Sequence, residues 1–192
     1  RARLRQLLAE RLDVEPESVE FSYGQYGKPA LAQRFSSYDL RFSVSHSADL
    51  AVYALARGME VGIDVEKIRA LPDADHIATR FFSRGENESY RALDPIDRPL
   101  GFFNCWTRKE AYIKAIGEGL SHPLDSFEVT LSPKTSARFV RIGDAPGDLH
   151  GWGIESFIPA PKYVAAVVFN HACVAAKNGP QKMGSDAGRY LA

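Results

Sequence analysis

At 192 residues, with 45 % hydrophobic and 25 % charged side chains, the chain has ordinary globular composition and material for one large domain or two small halves. Twenty-four basic and twenty-four acidic residues cancel, which favours neither a general nucleic-acid binder nor a membrane-surface binder. No apolar run approaches the roughly 18–20 residues that span a bilayer, no signal peptide is visible, and Cys105 and Cys173, without CxxC spacing, support neither a zinc site nor a disulfide framework, so a reducing cytoplasm fits best.

Leu4, Leu7, Leu8 and Leu12 recur at helical spacing among arginines, which predicts an amphipathic helix over residues 1–12. Gly24, Gly27 and Pro29 in "YGQYGKPAL" read as loop. "RFSVSHSADLAVYALA" reads as two strands joined by a short turn at His46–Asp49, and "GMEVGIDVEKI" as the next strand. "DADHIATRFF" predicts a helix. A second follows in "SRGENESYRAL", where Ser83 and Glu86 have capping-box spacing. Pro95 and Pro99 bound a loop before the strongest helix, "LGFFNCWTRKEAYIKAIG", which Gly117 and Gly119 end. "DSFEVTLS", "ARFVRI", "GWGIESFI" and "YVAAVVF" read as short strands. The polar, glycine-rich tail 178–192 reads as flexible. Helix first and strands after, in both halves, hints at internal duplication.

Three stretches concentrate polar groups. In "VGIDVEKI", Asp64 and Glu66 stand side by side on one strand face with Gly62. Alone, that pair is better explained as solvated acids on a half-exposed strand. In "WTRKEAYIK", Glu110 and Lys114 share a helix face, the spacing of an ordinary surface ion pair, but on a helix whose aromatic surface predicts packing; Arg108 and Lys109 add positive charge close by. In "FSVSHS", Ser43, Ser45 and Ser47 alternate around His46, and with Lys28 upstream they could grip a phosphate.

Together, Asp64, Glu66 and Glu110 form an all-oxygen set suited to a hard cation, Mg²⁺ before Ca²⁺. Lys28, His46 and Lys114 would face phosphates beyond it, and Gly62 would keep that strand face open for the ligand. Such a set suits phosphate transfer, which needs positioning and charge neutralisation. No Walker loop, GxGxxG or GxSxG is present.

"VGIDVE", then "WTRKEAYIK" some forty residues on, with "GKP" and "VSHS" upstream and "RFFS" at 80–83, resembles the Sfp-type 4′-phosphopantetheinyl transferases over residues 1 to about 170. The resemblance implies an α+β fold of two pseudo-symmetric halves, each an antiparallel sheet packed on a long helix. The halves would be residues 1–100 (coenzyme A and metal strand) and 101–177 (signature helix and sheet). It implies transfer of the phosphopantetheine arm from coenzyme A to a serine of an apo acyl, peptidyl or aryl carrier protein, for fatty-acid or secondary-metabolite synthesis, by a cytoplasmic monomer. Asp64, Glu66 and Glu110 would hold Mg²⁺, with Mn²⁺ as substitute. Glu110 and Lys114 would be catalytic, and Lys28, Pro29, Ser43, Ser45, His46 and Lys114 would bind coenzyme A. Trp106 would fix the helix. Arg80, Arg84, Arg91 or Arg108 could steer an acidic carrier, or be plain surface charge. Family members carry a further basic N-terminal segment before the position of Arg1. Two other readings use the same residues: a Mg²⁺-dependent nucleotide or pyrophosphate hydrolase, and a non-catalytic coenzyme A or carrier-binding module.

Overall fold

The leucine stripe folds as expected: α1 (Ala2–Leu12) buries Leu8 and Leu12 against Val19, Phe35, Leu40 and Phe42, with Leu4 partly buried on the same cluster, and Leu7 is buried too. The computed structural model describes residues 2–143, 149, 151–170 and the backbone of 190–191. The glycine-containing loop is a small hairpin, β1 (Phe21–Tyr23) with β2 (Pro29–Leu31). Next, β3 (Leu40–Ser47) and β4 (Leu50–Arg57) form an antiparallel hairpin whose turn is only Ala48 and Asp49. The strand β5 (Glu60–Lys67) follows.

Two short helices come next, α2 (Ala74–Phe81) and α3 (Arg84–Arg91). The capping box is present: Ser83 Oγ accepts from the Glu86 amide at 3.1 Å, and Glu86 Oε2 accepts from the Ser83 amide at 2.7 Å. The long helix α4 runs Arg98–Ile116, so Pro99 lies in its first turn rather than ahead of it. Proline fits there because the first helical amides have no intrahelical acceptor. Gly117 ends α4 with φ 82°, a left-handed conformation that suits glycine. The four predicted C-terminal strands are β6 (Glu128–Val129), β7 (Phe139–Arg141), β8 (Trp152–Phe157) and β9 (Tyr163–Asn170), the first two much shorter than their apolar runs. Of the tail, residues 190–191 form β10 (Tyr190–Leu191), paired with Leu55 and Ala54 of β4; residues 178–189 and 192 lie outside the described residues.

The fold is α+β with antiparallel sheets. The main ones are two three-stranded sheets, ordered β10-β4-β3 and β5-β9-β8. The sequence groups β5 with the first half, but its backbone partner is β9, with Asp64 opposite Ala166 and Glu66 opposite Val164. Strand β5 therefore shares a sheet with β9 and β8 rather than with β3 and β4. Val61, Ile63 and Val65, on one face of β5, pack on Val52 and Ala54 of β4. The other face, Gly62, Asp64 and Glu66, turns to α4, whose apolar side, with Phe102 and Ile113, is buried with Phe127, Val164 and Val168. No helix among the described residues is long and apolar enough to cross a membrane.

Candidate active site between the β5 strand and the α4 helix

What brings α4 onto β5 is small residues. A Cβ on Gly62 would stand 2.0 Å from the Ala111 carbonyl oxygen and 2.4 Å from the Ala115 amide nitrogen. Ala111 and Ala115 are themselves fully buried. Gly62 thus does not hold the strand face open for a ligand, as the sequence suggests; the helix backbone fills that space. The close approach in turn sets Glu110 and Lys114, one helical turn apart, over Asp64.

Lys114 Nζ lies 2.6 Å from Asp64 Oδ1 and 3.0 Å from Ser45 Oγ. Ser45 donates to the same Asp64 oxygen at 2.8 Å. Asp64 is 4 % exposed, and its Oδ2 is buried with no hydrogen-bond partner. Burial raises the Asp64 carboxyl above the usual carboxylate range, while Lys114 and Ser45 pull it down and Glu66 pushes it up. Glu66 accepts from Ser47 Oγ at 2.9 Å and lies 3.5 Å from Arg69. Burial, helped by the charges of Asp64 and Glu66 and opposed by Lys114, raises Glu110 to about 7. The three expected carboxylates therefore share one electrostatic neighbourhood.

Among the described residues no three His, Cys, Asp or Glu side chains converge tightly enough to hold a metal ion as they stand. The Lys114 ammonium supplies the positive charge beside Asp64. The donor set nonetheless fits a hard cation: hard oxygen ligands, one buried carboxylate oxygen without a partner, and two carboxyls raised by burial and, in smaller part, by their mutual repulsion.

The expected coenzyme A residues divide. His46 is exposed at the end of β3. Lys28 reaches across the left-handed Gly117 to donate to the Ala115 carbonyl at 2.6 Å and to Glu60 at 2.9 Å. It thereby ties its loop to the C-terminal end of α4, and Pro29 opens β2 beside it. Ser43 and Ser45, each 6 % exposed, turn their hydroxyls inward to β5 rather than out to solvent.

Two cations expected near the site belong elsewhere. Arg108 is 3 % exposed and donates to Ser156 Oγ at 2.9 Å and to Thr130, so it cannot steer a partner from the surface. Burial lowers it to about 10. Lys109 is fully buried and grips Glu86 at 2.7 Å and the Leu124 and Phe127 carbonyls at 2.6 and 2.8 Å. The pair fastens α3 and the 124–127 segment to α4 next to Glu110. Helical phase carries the signal for it: Lys109 falls in line with Phe102, Cys105, Tyr112 and Ile113, all buried. Trp106 packs as expected, stacked on Phe102 at 6.2 Å and edge-on to Phe81 at 6.0 Å. Cys105 is fully buried, and burial pushes its thiol up, away from reactivity.

The sequence profile of the 4′-phosphopantetheinyl transferase superfamily matches residues 60–168, from the start of β5 almost to the end of β9. The chain belongs to this superfamily. Within the transferases it is 38 % identical over 164 residues to 4′-phosphopantetheinyl transferase HetI of Nostoc sp., covering 85 % of this chain and 66 % of that one. It is 35 % identical over 128 residues to 4′-phosphopantetheinyl transferase Sfp of Bacillus subtilis, covering 67 % of this chain and 54 % of that one. The chain thus spans less than two thirds of these transferases' lengths. The holo-[acyl-carrier-protein] synthase of Thermotoga maritima aligns over 58 % of this chain and 62 % of that chain, at 22 % identity and a TM-score of 0.43.

Proposed function

We propose that the protein transfers the 4′-phosphopantetheine arm of coenzyme A to the serine hydroxyl of an apo carrier protein and releases adenosine 3′,5′-bisphosphate. One observation carries this beyond family membership: Asp64, with an unpartnered buried oxygen, Glu110, raised to about 7, and Lys114 meet at one place between β5 and α4. In the reaction the serine Oγ–P bond forms and the P–O bond to the adenosine bisphosphate breaks. Glu110, poised near neutrality, takes the serine proton. Lys114 neutralises the phosphate under attack and the departing one. Asp64, Glu66 and Glu110 are the residues that would hold Mg²⁺, which when bound shields the pyrophosphate charge. Lys28 and His46 would contact the adenosine phosphates, Lys28 by exchanging Glu60 for the ligand. The protein acts as a cytoplasmic monomer.

The test is incubation of a panel of apo carrier proteins with coenzyme A and Mg²⁺, read by intact mass. Gain of the phosphopantetheine arm, lost in Asp64→Ala, is expected. Unmodified carriers with coenzyme A cleaved by water would instead establish a hydrolase. Unmodified carriers with intact coenzyme A would refute catalysis by this chain.

A further inference from the structure

Along the edge of β5 away from β9, the described residues include no strand that pairs with it through the backbone. The amides of Ile63, Val65 and Lys67 donate instead to side-chain hydroxyls of β3: Ser43 Oγ at 3.1 Å, Ser45 Oγ at 3.3 Å and Ser47 Oγ at 3.1 Å. Three serines at alternate positions of one strand thus stand in for a backbone ladder, and they satisfy an otherwise unpaired sheet edge. The alternation that on sequence alone suggests a phosphate grip is a seam between two sheets.

The seam has a second layer. A hydroxyl that accepts an amide proton still has its own proton to donate. Ser45 donates to Asp64 Oδ1 at 2.8 Å and Ser47 to Glu66 Oε2 at 2.9 Å. Ser43 lies opposite Ile63, next to Gly62, where there is no carboxylate to receive its proton. With the Val65 amide and the Lys114 ammonium both donating to it, Ser45 Oγ has no capacity left for a ligand phosphate.

We infer that Ser45 and Ser47 are positioning residues for the cation-binding carboxylates, each fixed by a β5 amide and each holding one carboxylate in place, while Ser43 has only the structural half of that role. The inference rests on the reading of Asp64 and Glu66 as metal ligands. Groups that orient metal ligands typically set affinity by about 10- to 100-fold.

The experiment measures Mn²⁺ binding to the full chain by electron paramagnetic resonance of the free ion, without coenzyme A or carrier, alongside thermal melting. Ser43→Ala, Ser45→Ala and Ser47→Ala each leave one β5 amide unpaired, so all three lower the melting temperature. Only Ser45→Ala and Ser47→Ala are expected to weaken Mn²⁺ binding, by about ten-fold or more, with Ser47→Thr restoring it. Ser47 is only half-buried, so its variants keep the test decisive if Ser45→Ala fails to fold. Loss of binding in Asp64→Ala, with native affinity in Ser45→Ala and Ser47→Ala, overturns the inference alone. Equal weakening in all three alanine variants overturns it too, because it reduces the effect to seam stability. Native affinity in Asp64→Ala overturns the metal reading and the inference with it.

Discussion

Adding one methyl group at Gly62 should both destabilise the protein and disable it. The new Cβ would sit 2.0 Å from the Ala111 carbonyl oxygen, and ordinary contact begins near 3.4 Å. Its nearest neighbours are helix backbone, which cannot rotate away, so α4 must withdraw by about 1.4 Å, or β5 must bend by as much. Withdrawal stretches the 2.6 Å contact between Lys114 and Asp64 to about 4 Å, the limit of an ion pair, and lifts Glu110 away with it. Overpacking a tight core costs about 1–3 kcal/mol, and this rigid contact should reach the upper end. For a chain of this size that is a fall in melting temperature of roughly 6–12 °C. Misplacing reacting groups by about 1 Å can cost on the order of 100-fold in rate. The assays are chemical denaturation, to separate a shifted midpoint from a changed slope, and carrier loading at saturating coenzyme A. A Gly62→Ala protein that melts within about 2 °C of the native chain and loads carrier at an undiminished rate would show that β5 and α4 are not in the contact described.

Three other outcomes follow from particular side chains. Glu110 titrates at about 7 in the folded chain against an ordinary value of 4.5, so without metal its stabilisation is full below pH 4.5 and is lost as the pH rises to 7. That loss is about 3 kcal/mol at most; denaturation in chelator at pH 5 and pH 8 should show it in the native chain and not in Glu110→Gln, and parallel curves would contradict it. Lys109→Met leaves Glu86 buried without its cation and should cost about 3–5 kcal/mol in denaturant titrations; a loss under about 1 kcal/mol would mean that the pair is not buried as described. His46→Ala should raise KM for coenzyme A more than it lowers kcat, because His46 lies at the exposed end of β3; an unchanged KM removes it from the coenzyme A site.

Local chemistry was legible in the sequence and long-range contact was not. The α1 leucine stripe, the Ser83–Glu86 capping box, the left-handed Gly117 and the shared face of Glu110 and Lys114 each depend on residues within a turn or two of one another. Gly62 misled because its reason lies about fifty residues away, in the α4 backbone. Arg108 read as a steering or surface charge and Lys109 as positive charge beside the site; they are buried because Thr130, Ser156, Glu86 and two carbonyls await them from segments no local pattern connects. The serines of β3 read as a phosphate grip, but alternation alone cannot tell a hydroxyl that faces a ligand from one that faces a neighbouring strand.

The pairing of β5 with β9 also dictates when the site can exist. Asp64 lies opposite Ala166, about a hundred residues later in the chain, so an emerging polypeptide carries both strand carboxylates long before their sheet can close. Until β9 leaves the ribosome, β5 has only serine hydroxyls along one edge and nothing along the other. The site is therefore expected among the last parts to become protected during folding, after the local α1 and β3–β4 units. Pulsed hydrogen exchange should find the β5 amides protected together with those of β9. A nascent or truncated chain would then lack the assembled β5–α4 site.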